Sequence, residues 1–288
     1  MYGCQLVFHG GTTMSYATNL SDAEWAFLEP LVPAPKGGGR PCTHSRRAIC
    51  DAIFYAARTG CAWRLLAQDL PPWQTVYGYF RAWRRDGTWQ RIHDALRTAV
   101  RVAAGRHPQP SAGILDSQSV KTTEQGGLRG YDAGKKVSGR KRHLLVDTLG
   151  LLLVVVVHAA SLQDRQGAKM VLLRAKRCCP RLRVIWADGG YRGRLVRWVG
   201  SLCGWALRIV KRCDVGFVVL PKRWIVERTF GWLGRYRRLS KDYEGLPETR
   251  EALIYVAMIH VMVRRLAHPR RQLRAAQQPL SLPVTRAA

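Results

Sequence analysis

Three acids in this chain stand where packing explains them poorly. Asp116 closes the apolar run Ile114-Leu115. Asp188 closes Val184-Ile185-Trp186-Ala187 and is followed by Gly189-Gly190. A carboxylate where a buried strand emerges is placed to meet a ligand, and a glycine pair lets a backbone or a phosphate come close. Taken singly, each reads as an Asp that begins a turn; taken together in a strongly basic chain, that reading weakens. Glu227 is the most telling. At helical spacing one stripe runs Arg223, Glu227, Gly231, Gly234, Arg238. A helix-interior Gly costs about 1 kcal/mol relative to Ala. An Arg223–Glu227 ion pair would explain those two residues but not the glycines. The glycines imply either tight packing on another backbone or the approach of a substrate, and the second is favoured.

Three carboxylates drawn together repel one another, and their pKa values rise unless cations neutralise them. Two Mg²⁺ (or Mn²⁺) ions would do so with oxygen ligands, leaving positions for water and phosphate. Such a pair suits in-line displacement at phosphorus, with no Cys, Ser or Tyr nucleophile.

The charge balance points the same way. There are 47 Lys+Arg against 19 Asp+Glu, a formal charge of +28. A packed protein with this excess repels itself unless a polyanion supplies the counter-charge, and nucleic acid is the commonest. An ordinary small-molecule enzyme is thereby disfavoured. With 47% hydrophobic and 23% charged residues the composition is globular rather than disordered. Between Lys222 and Lys241 lie seven basic residues and one acid, with Trp224, Trp232 and Tyr236 interleaved. A second patch, in a Gly-rich segment between strands, holds Lys121, Arg129, Lys135, Lys136, Arg140, Lys141 and Arg142. The expected DNA contacts are Lys121, Lys135, Lys136, Arg140, Lys141, Arg142, Arg223, Arg228, Arg235, Arg237 and Arg238, through phosphate contact and stacking.

The elements that must position these residues fall into two regions. Residues 20–104 read as a small all-helical, helix-turn-helix-like DNA-binding domain. Ser21-Asp22-Ala23-Glu24 is a capping box, and Pro30 and Pro33 end its helix. Thr43 is the expected cap of a second helix, stopped by Gly60. Pro71-Pro72 opens a third, with Arg81, Arg84 and Arg85 on its outer side, and Asp86-Gly87 separates it from a fourth. Residues 105–112, rich in Gly and Pro, read as a linker. Residues 113–268 then give strands at Ile114–Asp116, His143–Asp147, Leu151–Ala159 and Val184–Asp188. Shorter candidates lie at Ala206–Val210 and Phe217–Leu220, and helices at Asp164–Arg177, Tyr191–Leu202, Trp224–Leu239 and Arg250–Ala267. This is an α/β (mixed α+β) pattern, a mixed sheet with helices on its faces. Asp147 reads as a turn residue and Asp164 as a helix cap, with an auxiliary active-site role as its lesser alternative. Residues 1–19 and 269–288 read as disordered. No secretory leader is legible in residues 1–13, and Met14 begins a more ordinary start. The eight cysteines form no C-x-x-C pair and read as reduced thiols of a cytoplasmic protein. The apolar run Ala252–Val263 reads as a buried helix rather than a membrane span.

At the acidic residues the chain resembles a known family. Asp116-Ser117-Gln118-Ser119-Val120-Lys121-Thr122, Ala187-Asp188-Gly189-Gly190-Tyr191 and Arg223-Trp224-Ile225-Val226-Glu227-Arg228-Thr229-Phe230-Gly231-Trp232-Leu233 are similar to the three acidic motifs of bacterial insertion-sequence DDE transposases, nearest to the insertion-sequence-five family. Val157–Gly167, with Asp164, and Leu20–Trp89 carry the same resemblance. It implies a ribonuclease-H-like catalytic domain with a mixed five-stranded sheet, and Asp116, Asp188 and Glu227 as the catalytic, metal-binding triad for two ions. It implies cleavage at insertion-sequence ends and transfer of a DNA 3′ hydroxyl into target DNA. Expected partners are the terminal inverted repeats, the target DNA and a second copy of the chain, in a nucleoid-associated protein. The alternatives are a metal-dependent nuclease of the same fold without strand transfer, or a non-catalytic DNA-binding derivative. The wider signature around the third acid is Tyr-x2-Arg-x3-Glu-x6-Lys. Arg223 and Glu227 match it, while Leu220 stands at the Tyr position and Gly234 at the Lys position, with Arg235 adjacent.

Overall fold

Six strands pair into one mixed sheet in the computed structural model, which describes residues 15–34, 43–124, 126–210 and 222–269. They are β1 (Ala112–Lys121), β2 (Gly130–Asp132), β3 (Val137–Val146), β4 (Leu152–Ala159), β5 (Val184–Ala187) and β6 (Ala206–Ile209). β3 lies antiparallel between β1 and β4, while β5 runs parallel to β1 and β6 parallel to β5. This is the ribonuclease-H-like arrangement. The three-residue β2 pairs with Val137–Gly139 at the start of β3, so the sheet has six strands rather than the expected five. Three residues without an alternating apolar pattern give no strand signal of their own. The Phe217–Leu220 candidate lies outside the described residues, as do Cys4, Cys42 and Cys213.

Alternation along the strands sends side chains to opposite faces. Leu115, Leu145, Val154 and Val156 pack under α5 (Asp164–Cys178) and α6 (Arg194–Cys203). Ile114, Leu144, Val155 and Val157 pack on the other face, under α7 (Arg223–Gly234) and α8 (Pro247–Ala267). That second core does not stop at α8. It continues through Leu28, Ile53, Phe54, Phe80, Trp89 and Leu96 of α1 (Asp22–Leu28), α2 (Arg46–Thr59), α3 (Trp73–Arg85) and α4 (Thr88–Ala103). The middle of α8, from Ala252 to Ile254 and Val256 to His260, is buried on every side.

The N-terminal helices and one sheet face thus share a single core. Residues 105–112 form a pinned turn, in which Arg101 donates to the His107 carbonyl (2.8 Å) and Arg183 N–H to the Ser111 carbonyl (2.8 Å). Arg101 also pairs with Asp147, whose side chain is fully buried. Asp147 is a turn residue as expected, accepting from the N–H of Leu149 (2.8 Å) and Leu151 (2.9 Å).

Most local signals hold. Ser21 Oγ accepts from Glu24 N–H (3.2 Å), and Glu24 accepts from Ser21 N–H (3.1 Å). Gly60 ends α2 in the left-handed conformation at φ 77°. The α2 cap is Ser45 instead of Thr43, because Ser45 Oγ is the group that reaches the Ala48 N–H. Residues 15–19 are not a loose extension: Thr18 is buried and the Tyr16 hydroxyl donates to Asp69 (2.6 Å). Among the described residues no disulfide forms, and no helix is long and apolar enough to cross a membrane.

Candidate active site

The sheet register brings the first two acids together. Ile114 of β1 lies beside Trp186 of β5 in a parallel pair. Two residues further on, and on the same face, come Asp116 and Asp188. Asp116 is half-buried and accepts from the Ser117 N–H (2.7 Å). Burial, and then the charge of Asp188, raise its carboxyl to about 6, although the Ser117 hydrogen bond, Arg223 and Lys135 pull the other way. Asp188 caps the single turn Gly189–Tyr191 by accepting from Gly190 N–H (2.9 Å). The third acid comes from α7. Lys222 precedes that helix in a left-handed conformation (φ 71°), with its ammonium 3.7 Å from the centre of the Trp186 ring. This docks the start of α7 on the end of β5. Arg223 then reaches Asp188 (3.7 Å) and, one turn along, Glu227 (3.5 Å). The Arg223–Glu227 pair weighed from the sequence is present, and it extends to Asp188.

The donor set is chemically suited to a hard divalent cation, since carboxylate oxygens are its preferred ligands. The Asp116 carboxyl is raised chiefly by burial and also by the neighbouring charge of Asp188. In this arrangement, among the described residues, no three His, Cys, Asp or Glu side chains are gathered closely enough to hold one ion. Arg223 is the reason, because its guanidinium takes the place between Asp188 and Glu227. Arg223 Nε is buried without a hydrogen-bond acceptor. The Glu227 side chain is 57% exposed and is free to rotate. The residues thus suit a divalent ion by their chemistry, with Glu227 paired to Arg223 in this arrangement.

The glycine stripe is open. A methyl group built on Gly231 or Gly234 would meet nothing within 4 Å. Among the described residues no other backbone packs at these positions, and the face beside Glu227 is open.

The expected DNA contacts divide sharply. Lys121, Lys136, Arg235 and Arg237 are exposed. Lys121 lines an open groove of about 690 Å³ with Arg129, Ser138 and Lys241. Lys135 is exposed along its length, but its ammonium donates to the Ser117 carbonyl (3.0 Å). Five others turn into the fold. Arg140 is fully buried and donates to the carbonyls of Leu128 (2.6 Å), Glu244 (2.6 Å) and Gly245 (2.7 Å), with Asp242 at 3.3 Å. Arg142 is buried against Gln118 and the Leu239 carbonyl, and burial lowers its pKa to about 9. Arg238 is buried, donating to Glu244 (2.8 Å) and to the Cys61 carbonyl. It lies after α7, off the predicted stripe. Lys141 is buried among three acceptors. Arg228 is held between the rings of Trp224 (4.5 Å) and Trp232 (4.8 Å) and donates to the Leu149 carbonyl. These five cations tie segments of the protein together. Tyr236 is likewise buried rather than part of a stacking patch.

One residue near the site was misjudged from the sequence. Asp164 opens α5, but the cap position belongs to Gln163 and carries no side-chain cap bond. The Asp164 carboxylate instead accepts from Ser117 Oγ (3.0 Å) and pairs with Lys141 (2.8 Å). The only sequence signal was its presence in a segment that resembles the family.

Fold and grouped acids define a DDE transposase. A family model described as a transposase DDE domain matches residues 107–262, more than half of the chain, and the chain belongs to that family. More particularly it is of the IS4/5 kind, since the model for transposases of the IS4/5 family matches residues 20–93. It is also similar to the insertion element IS402 uncharacterized 16.2 kDa protein of Burkholderia cepacia. The two are 30% identical over 115 residues, covering 37% of this chain and 76% of that protein. DDE transposase domains act on DNA and use divalent metal ions.

Proposed function

We propose that this transposase cuts DNA at the ends of its insertion sequence and joins the freed 3′ hydroxyl to target DNA, with Asp116, Asp188 and Glu227 as the catalytic carboxylates. The observation that carries the reading is the gathering of the three acids, from β1, the turn after β5 and α7, around Arg223. Asp116 and Asp188 would hold one divalent ion between them, and Glu227 would complete a second site. Bound ions supply activation of the attacking oxygen and stabilisation of the leaving oxygen.

The chain's own residues do the rest. Arg223 balances the carboxylates in the free enzyme. The open face at Gly231 and Gly234 admits the backbone beside Glu227. Arg235 and Arg237, exposed just past α7, Lys121, at the far end of β1, and Lys136, between β2 and β3, would contact flanking phosphates. Terminal inverted repeats and target DNA are the partners, in a synaptic assembly of at least two copies.

A labelled inverted-repeat end with Mg²⁺ tests this. Wild-type protein gives cut and then joined product. Asp188→Asn abolishes both and leaves DNA binding intact. Cut product that never joins reduces the activity to a nuclease. Full cleavage by Asp188→Asn refutes the assignment.

A further inference from the structure

Behind the acids, on the opposite face of the sheet, lies a polar cluster that the catalytic reading does not use. Ser117 and Lys141 point there because neighbours on a strand alternate. The Lys141 ammonium is 4% exposed and meets Asp164 Oδ1 (2.8 Å), Asp132 Oδ2 (3.1 Å) and the Leu162 carbonyl (3.1 Å). All three of its protons are therefore used. Ser117 Oγ donates to Asp164 (3.0 Å) and Ser119 Oγ to Asp132 (2.6 Å). Lys135 donates to the Ser117 carbonyl. The cluster is thus anchored to β1 at Ser117 and Ser119, directly after Asp116.

It also reaches the second acid. A methyl built on Gly190 would lie 3.1 Å from Asp188 Oδ1 and 3.9 Å from Asp164 Oδ2. The free oxygen of Asp164 thus faces the turn that carries Asp188. Tyr191, in that turn, is buried and feels the charges of Asp116, Asp164 and Asp188 together. The start of α5 is held close by Gly167, where a Cβ would fall 2.5 Å from both His143 and His158. Those imidazoles are pushed towards the neutral form by burial, so the cation that fixes Asp164 is Lys141. Burial alone would raise the Asp164 carboxyl, but the Lys141 hydrogen bond and charge outweigh it and lower it.

We propose that Asp164 is a positioning residue for the reaction: held by Lys141, it fixes through Ser117 the stretch of β1 that bears Asp116, while its other oxygen faces the turn that bears Asp188. It touches neither DNA nor the reacting atoms. This rests on the reading that Asp116 and Asp188 hold divalent ions. Groups that orient metal ligands in this way change metal affinity by 10- to 100-fold when lost.

The test uses the full chain bound to an inverted-repeat DNA end. Mn²⁺ affinity is measured by calorimetry, the Mg²⁺ dependence of cleavage alongside it, and DNA affinity in chelator. Asp164→Asn keeps the shape and removes the charge. Its Mn²⁺ dissociation constant and half-saturating Mg²⁺ concentration rise together by about 10-fold or more, with DNA affinity unchanged. Ser117→Ala, which removes only the hydroxyl link, moves both in the same direction by less. Wild-type Mn²⁺ affinity in a folded Asp164→Asn overturns the proposal, as does a loss of DNA affinity with ion affinity unchanged. If Asp164→Asn does not fold, wild-type ion affinity in Ser117→Ala overturns it. Failure of the underlying reading looks different: Mn²⁺ affinity is then insensitive to Asp188→Asn itself.

Discussion

Asp147→Ala is the substitution that most directly tests whether the N-terminal helices and the catalytic sheet are one folding unit. Asp147 sits with its side chain fully buried in the turn between β3 and β4 and pairs with Arg101 of α4, itself 6% exposed. Its other oxygen accepts the N–H groups of Leu149 and Leu151. Removing it leaves a guanidinium buried with only the His107 carbonyl and strips the turn of two acceptors. Breaking a buried pair from one side costs about 3–5 kcal/mol. That is a large fraction of a typical total of about 5–15 kcal/mol, and corresponds to a fall in Tm on the order of 10 °C. Arg101→Met leaves Asp147 with its two backbone donors and falls at the lower end, about 3 kcal/mol. The double variant removes both charges, so its loss is smaller than the sum of the singles, with a coupling of about 2–3 kcal/mol. Denaturant unfolding followed by far-UV circular dichroism and by tryptophan fluorescence measures all three. The two probes stay coincident throughout, because the shared core melts as one. An additive cycle, a loss under about 1 kcal/mol for Asp147→Ala, or an early separate transition of the helices would refute the reasoning.

Gly60→Ala tests the same unity elsewhere. Its φ of 77° suits glycine, and a Cβ would lie 2.9 Å from Arg237 Cβ and 3.0 Å from the Arg237 backbone. The variant loses more than about 1 kcal/mol by thermal unfolding. The exposed and buried arginines separate in salt titrations of DNA binding. Arg235→Ala and Arg237→Ala each reduce the slope of log K against log salt by about 0.9, since each removes one phosphate contact. Arg142→Ala instead lowers the unfolding temperature and leaves the slope unchanged. A slope change for Arg142→Ala would restore it as a DNA contact.

The sequence by itself determined what is local. Helix starts and stops were legible at Ser21 and Gly60 because a cap is made within a few residues. The two aspartates were legible because apolar runs announce buried strands, although β1 runs on past Asp116 to Lys121, and Glu227 because two glycines beside a carboxylate defy helix propensity. Tertiary structure alone decided the partners. Arg140 and Arg142 share a motif-like basic run with exposed Lys136, yet their acceptors are carbonyls on the segment 239–245, far along the chain. Arg238 finds one of its acceptors in the Cys61 carbonyl, 177 residues away along the chain. Asp164 read as a cap until Lys141 and Ser117 came to face it from two neighbouring strands. α8 was legible as a buried helix, but not that α1–α4 would bury it. Periodicity records which side of an element avoids water, whereas a guanidinium or a carboxylate is satisfied by whichever distant backbone the fold brings to it.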